Sequence, residues 1–274
     1  MTKSNLHTHS YYDDGQDSID EMVQTAADKG FTVLGFSGHA YNPLDECSMT
    51  PEKTNQYRQD VKRWKNNPPK GMAIFLGIEE DSMNPVNPED YDYVIGSVHY
   101  LTKNGQAWPI DYSQECFEQM LAQGWNNDIY ALCKAYYQAI KAQAENERMQ
   151  IVGHIDLIAK YNDDQKYFRF DDPKILAMAK EAIEALAHAG KIFEMNTGAI
   201  SRGYRSQAYP SDQILDLIFQ NQGKLLINTD CHNRENLDLG IDECLKRAKT
   251  AGFTELYTLT QDGFVGVPID EFQG

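Results

Sequence analysis

The 274-residue sequence lacks the long apolar runs of a membrane protein: none of its hydrophobic stretches approaches the roughly 20 residues needed to cross a bilayer. Its N-terminus, MTKSNLHTHS, has no apolar core of the secretory type, so export is not expected and a cytoplasmic location is. The five cysteines (Cys47, Cys116, Cys133, Cys231 and Cys244) are an odd number and include no C-x-x-C pair. That pattern points to reduced thiols, with at most an incidental metal contact. Basic residues are scarce: 25 Lys plus Arg stand against 41 Asp plus Glu, a formal charge of −16. So acidic a chain repels nucleic acid and anionic membranes unless bound cations reverse the sign locally, and neither is expected as a partner. No Pro/Ser/Gly-rich linker, charge block or internal repeat divides the sequence, so a single domain over 1–274 is expected. Nothing in the sequence assigns an oligomeric state.

What is present is a regular alternation. Short β-branched runs at 4–9, 33–38, 73–78, 93–98, 151–156, 192–196 and 224–230 read as strands, and 255–260 reads as a further one. Helical patterns lie between them at 18–30, 51–66, 113–147, 172–190, 211–222 and 240–251. Asp172-Pro173 and Pro210-Ser211 are suitable helix starts, and Gly30, Gly190, Gly223 and Gly252 suitable ends. Nearly continuous apolar strands alternating with helices indicate an α/β fold with a parallel sheet buried on both faces. Seven or eight such units suit a closed or nearly closed barrel. The run Asn84-Pro85-Val86-Asn87-Pro88 reads as a loop long enough to overhang a site.

The seven histidines are the most informative residues. His7 and His9 fall at the end of the first strand, His39 just past the second, His99 after the fourth, His154 within the fifth and His232 after the seventh; only His188 lies in a helix. Glu79 closes the third strand, and Asp230 precedes His232 by two. Parallel strands place their C-terminal ends on one rim, where barrel active sites are built. Residues two apart on a strand point the same way, so His7 with His9, and Asp230 with His232, can each converge. Imidazole and carboxylate groups suit Zn, Mn or Fe, and eight of them exceed what one tetrahedral ion takes, so two or three ions are implied.

With these residues assembled, the chain resembles the polymerase and histidinol phosphatase (PHP) family. The matching segments occur in order: LHTHSYYDDG (6–15), FSGHA (36–40), GIEED (77–81), GSVHY (96–100), VGHIDL (152–157), EMNTG (194–198) and NTDCH (228–232). The resemblance implies a distorted (β/α)7 barrel with a metal site at the C-terminal ends of the strands. Chain size and the loop GAISRGYRSQAYPS (198–211) are most similar to the stand-alone branch that hydrolyses L-histidinol phosphate in histidine biosynthesis. In a trinuclear centre of that kind, His7, His9, Glu79 and Asp230 would hold one ion. Glu79 would bridge to a second held by His99 and His154, and His39 and His232 would hold the third with a residue after H-x-H. Asp14 matches the family's Asp-Gly position, with Asp13 as the adjacent alternative.

Such ions can activate a bridging hydroxide and clamp phosphoryl oxygens, placing positive charge on an acidic protein. Arg202 and Arg205, in a Gly-bounded loop after the sixth strand, are candidate phosphate ligands. Asp230 is the candidate for proton handling. The expected activity is metal-dependent phosphomonoester hydrolysis of a small-molecule ester, L-histidinol phosphate first. Alternatives are another ester, such as phosphotyrosine or a nucleotide, or a metal-binding module without turnover. The segment Asp90-Tyr91-Asp92-Tyr93-Val94 fits the D-x-D-x-[TV] pattern of aspartyl-phosphate hydrolases. Its first Asp precedes an apolar strand instead of ending one, so it is read as a coincidence.

Overall fold

The computed structural model describes residues 1–274. Strands β1 (Ser4–Asn5), β2 (Val33–Phe36), β3 (Ala73–Asp81) and β4 (Tyr93–Ser97) come first, each separated by a helix or a loop. Then β5 (Tyr100–Lys103) and β6 (Gln106–Pro109) fold back as an antiparallel hairpin that the sequence pattern did not announce. Strands β7 (Ile151–Val152), β8 (Ile192–Asn196) and β9 (Lys224–Asn228) complete a seven-stranded sheet, parallel throughout, in the order β1-β2-β3-β4-β7-β8-β9. The first and last strands meet without a regular ladder. A parallel bridge joins Thr8 to Cys231, and the Leu6 amide donates to Asn228 Oδ1 at 2.7 Å. The barrel is therefore nearly closed, as expected for the (β/α)7 form.

Helices α1 (Ile19–Asp28), α2 (Pro51–Asn66), α3 (Gln114–Gln119), α4 (Ile129–Ala142), α5 (Pro173–His188), α6 (Gly198–Ser201), α7 (Asp212–Gln220) and α8 (Ile241–Ala251) complete the helical part. Their starts obey local chemistry: Ser18 and Glu21 form a capping box on α1, and Asp172 accepts from the Lys174 and Ile175 amides at the head of α5. The segment 113–147 is not one helix. Between α3 and α4, Asn126 and Asn127 take positive φ (52° and 59°) and turn the chain before Asp128 caps α4. Asn tolerates the left-handed region better than other non-glycine residues, and the helical periodicity masked that turn. The run at 255–260 forms β10 (Glu255–Thr260), but it pairs antiparallel with β11 (Gly263–Pro268) outside the barrel ladder.

Inward-facing positions change character from bottom to top. Every second residue reads Phe75-Gly77-Glu79 on β3, Tyr93-Ile95-Ser97 and on to His99 from β4, Ile192-Glu194-Asn196 on β8, and Leu226-Asn228-Asp230 from β9. The lower layer is a buried apolar cluster of Leu6, Val33, Phe75, Tyr93, Ile95, Ile151, Ile192 and Leu226, closed from beneath by Leu259 of β10. Gly77 makes room for it, since a Cβ there would lie 2.1 Å from Tyr93 Cζ. A larger apolar core of 57 residues fills the space between sheet and helices. With both layers filled, the upper inward positions can carry polar groups at the C-terminal rim.

Candidate metal centre

Six strand ends deliver the expected side chains to one place. Glu79, 1% exposed, lies at the middle: its Oε2 is 3.2 Å from His7 Nε2, 3.0 Å from His39 Nδ1 and 3.8 Å from His9 Nε2. Its Oε1 is 3.1 Å from His154 Nε2 and 3.5 Å from His99 Nε2. Asp230 Oδ1 stands 3.0 Å from His9 Nε2 and 3.7 Å from His7 Nε2. Around Asp14, Oδ1 lies 3.3 Å from His232 Nε2 and 3.8 Å from His39 Nε2. Three groups thus have ligand-type atoms close enough to share an ion: His9/Asp14/His39/His232, His7/His9/Asp230 and His39/Glu79/His99. His188, at the end of α5, and Cys231, buried beside Asn5, take no part.

The donor set fits divalent ions. His7 Nε2, His9 Nε2 and Glu79 Oε2 are buried with no hydrogen-bond partner, which is costly unless something else binds them. Ligand atoms each about 2.0–2.2 Å from one ion necessarily sit some 3–4 Å apart, the spacing found here. All donors are imidazole nitrogens or carboxylate oxygens, a set suited to Zn, Mn or Fe.

A second layer of carboxylates fixes the imidazoles, a role the sequence pattern did not reveal. Glu194, wholly buried on β8, accepts from His7 Nδ1 at 2.7 Å, leaving Nε2 free to face the centre. It also accepts from Asn228 Nδ2 (2.8 Å), the His154 amide (2.9 Å) and Asn196 Nδ2 (2.9 Å). Asp13 turns inward onto His9 Nδ1 at 2.6 Å and takes the Ser10 and His39 amides. Of the adjacent pair, then, Asp14 has its carboxylate among the ring nitrogens, and Asp13 stands behind His9 as an orienting group. Asp81 accepts from the His99 amide at 2.8 Å. A charged residue at an inward position of an apolar strand was the available signal for Glu194; it lies in the EMNTG segment.

Electrostatics are correspondingly strong. Burial disfavours charge on His7, but Glu194, Glu79 and Asp230 outweigh it and hold its pKa well above the ordinary imidazole value. His9 is likewise opposed by burial and raised by Asp13 to about 9. Burial pushes Asp230 up, yet Arg202, His7 and His9 hold it well below the usual carboxylate range. Asp230 is therefore ionised at neutral pH, fit to bind a cation and unsuited to donate a proton. Its backbone takes a left-handed φ of 48°, and Gly198 lies against it: a Cβ there would be 2.5 Å from Asp230 Oδ2.

Above the centre is a cavity of about 240 Å³, lined by Asp14, His39, Glu79, His99, His154 and Asp230 on its floor. Arg202 lies on its wall, donating to Asp230 Oδ2 at 3.1 Å and meeting His232 Nε2 at 3.1 Å. Lys160 and Asp111 also line it, joined at 3.1 Å; they come from segments remote in sequence, and nothing in the pattern paired them. Arg205 is not on the cavity. It is 4% exposed, its guanidinium lies 4.7 Å from the Tyr209 ring centre, and Nη1 is 3.9 Å from Asp156 Oδ2. Gly203, at φ 74°, reverses the chain between the two arginines and sends them to opposite sides. The proline-rich loop at 84–88 does not overhang the cavity either; it borders a separate groove with Ala40 and Tyr41. Loop 41–48 and the segment after β6 occupy that position instead, through Asp45, Cys47 and Asp111. Asp90 and Asp92 are spent on ion pairs with Arg58 and Lys65 around the start of β4, the opposite end from the centre.

A probable histidinol-phosphatase of Schizosaccharomyces pombe is 25% identical to this chain over 275 residues, covering 92% of it and 87% of that protein. The histidinol-phosphatase of Bacillus subtilis is 22% identical over 270 residues, covering 90% of this chain and all of its own length. Among solved structures, the histidinol phosphate phosphatase of Lactococcus lactis, crystallised with zinc, L-histidinol and phosphate, superposes with a TM-score of 0.70. It covers 96% of this chain and 99% of its own at 21% identity, a likeness of fold. The PHP domain model matches residues 5–198, which include His7 to His154 and every strand from β2 to β8. With that match over most of the barrel, the chain belongs to the PHP domain family.

Proposed function

We propose that this chain, acting as one domain, is a metal-dependent phosphomonoesterase that hydrolyses L-histidinol phosphate to L-histidinol and phosphate, a step of histidine biosynthesis. The observation that carries the reading is the convergence of His7, His9, Asp14, His39, Glu79, His99, His154, Asp230 and His232 beneath one cavity that also presents cationic side chains. Its relatives' names supply the ester. Two or three ions of Zn, Mn or Fe would be held by the three ligand groups, with Glu79 shared between neighbouring positions. Divalent ions bound there supply Lewis acidity toward a phosphoryl group and the means of deprotonating water near neutral pH.

The chain's own residues do the remaining work. Glu194 and Asp13 keep the second ring nitrogens of His7 and His9 protonated, so that the lone pairs face the centre. Arg202 and Lys160 place fixed positive charge on the wall, where a phosphate dianion gains charge-assisted hydrogen bonds. Arg205, buried beside Asp156, acts by holding the 198–211 loop that carries Arg202. A centre recessed under loops reduces water around the reacting groups, which strengthens each of these interactions.

The test is removal and return of the ions. Chelation should abolish phosphate release from L-histidinol phosphate, and Zn or Mn should restore it in proportion to the ions bound. Full activity in protein shown to be free of metal would exclude the reading.

A further inference from the structure

We propose that Asp45 and Asp111 form a subsite for a cationic group on the leaving alcohol, so that the cavity selects phosphate esters of amino alcohols. The inference rests on the functional reading above and adds the residues that would distinguish substrates within it. The cavity is marked as a ligand site independently of these two residues, because Glu79 Oε2 is buried, unpartnered and part of its floor.

The charges on the lining do not balance evenly. Five acids line the cavity, Asp14, Asp45, Glu79, Asp111 and Asp230, against two cations, Lys160 and Arg202. Asp14, Glu79 and Asp230 lie among the histidines, and Arg202 is committed to Asp230. Lys160 donates to Asp111 through both its backbone oxygen (2.7 Å) and Oδ2 (3.1 Å). Asp45 has no cationic partner: one of its oxygens accepts from the Cys47 amide at 2.9 Å, and its carboxylate faces the same cavity.

Both carboxylates line the same cavity, together with Tyr100 and Tyr112. Asp111 itself, opposed by burial but stabilised by Lys160, is held at about 2 and is ionised at any working pH. The loop bearing Asp45 is not free to swing away. Tyr100 donates to Leu44 O at 3.2 Å, and Ser48 Oγ accepts from the Asn42 amide at 3.0 Å and donates to Asp45 O at 2.8 Å. A phosphoryl group placed over the floor beside Arg202 puts its leaving alcohol against this acidic wall. There an ammonium gains an ion pair within a lining that also includes Tyr100 and Tyr112, whereas a neutral alcohol leaves Asp45 uncompensated.

The test compares kcat/KM for L-histidinol phosphate with that for its counterpart lacking the amine, 3-(imidazol-4-yl)propyl phosphate, on protein of matched metal content. Wild-type protein should favour the amine-bearing ester, and Asp45→Asn should lower that ratio by about tenfold or more, within the range of one charge-assisted hydrogen bond. Any general damage affects both esters and cancels in the ratio. Asp45→Glu should retain most of the preference, and Asp111→Asn should lose part of it. A ratio unchanged in both Asn variants, or a wild-type ratio near one, would overturn the assignment. If another ester proves to be the substrate, the same ratio read on phosphoethanolamine against n-propyl phosphate decides the role of Asp45 separately from the choice of histidinol.

Discussion

Replacing Glu194 by Gln tests how the centre is held from behind. Glu194 accepts four hydrogen bonds: Oε1 from His7 Nδ1 and Asn228 Nδ2, and Oε2 from the His154 amide and Asn196 Nδ2. A glutamine offers one acceptor and one donor in the same space, and neither orientation satisfies the site. With its oxygen toward His154, its NH2 faces His7 Nδ1, which must then give up its proton. The proton moves to Nε2, the nitrogen that faces Glu79 and Asp230, and that lone pair is lost to a metal. With its oxygen toward His7, the NH2 meets the His154 backbone N–H, which cannot turn away as the Asn196 amide can. A buried donor left unsatisfied costs about 1–3 kcal/mol. Whichever arrangement is less costly, affinity for the ion near His7 should fall by about 10–100-fold, the usual effect of losing such a support. Competition with a zinc chelator measures this, together with ions counted per chain and kcat on L-histidinol phosphate. Unchanged affinity and full kcat in Glu194→Gln would refute the orienting role.

Other outcomes follow from the same geometry. Asp14→Asn should remove a ligand atom and lower the ion count, whereas Asp13→Asn should keep the count and weaken affinity through His9; equal losses from both would contradict their different placement. Arg202→Ala should lower kcat/KM by about 10²-fold or more with metal content intact, consistent with losing a charge-assisted phosphate contact of about 2.7 kcal/mol. Normal kinetics in that variant would remove Arg202 from the phosphate site. In metal-free protein, His9 titrates at about 9 when folded against an ordinary 6.5. A pKa raised by folding stabilises fully below the unfolded value, and that contribution is lost as pH rises through the folded one. The urea midpoint of the apo-protein should accordingly fall between pH 6.5 and 9, and a rising midpoint would contradict the proposed charge pattern.

Much of this was legible in the sequence because barrel geometry maps chain position onto space. Histidines at the ends of five of the seven parallel strands have one rim to occupy, so strand positions alone brought His7, His39, His99, His154 and His232 together. What the pattern could not supply was direction within loops and pairing across distant segments. Arg202 and Arg205 look equivalent until the left-handed Gly203 sends one to the cavity and the other into the interior. Asp13 and Asp14 differ only in which way a tight turn faces them. Lys160 and Asp111 meet across 49 residues of sequence, and the β5–β6 hairpin that leads to Asp111 has no strong alternation. The break after α3 was hidden because Gly124 to Asp128 interrupts helical periodicity only briefly.

The central claim is tested most directly by kcat/KM for phosphate release on protein of known metal content, comparing L-histidinol phosphate with p-nitrophenyl phosphate and phosphotyrosine. The account predicts a value for histidinol phosphate about 10³-fold or more above both others, because recognition of the leaving group must appear in the transition state. Comparable values for all three esters would leave a phosphatase without this substrate, and no turnover with the ions bound would contradict the account altogether.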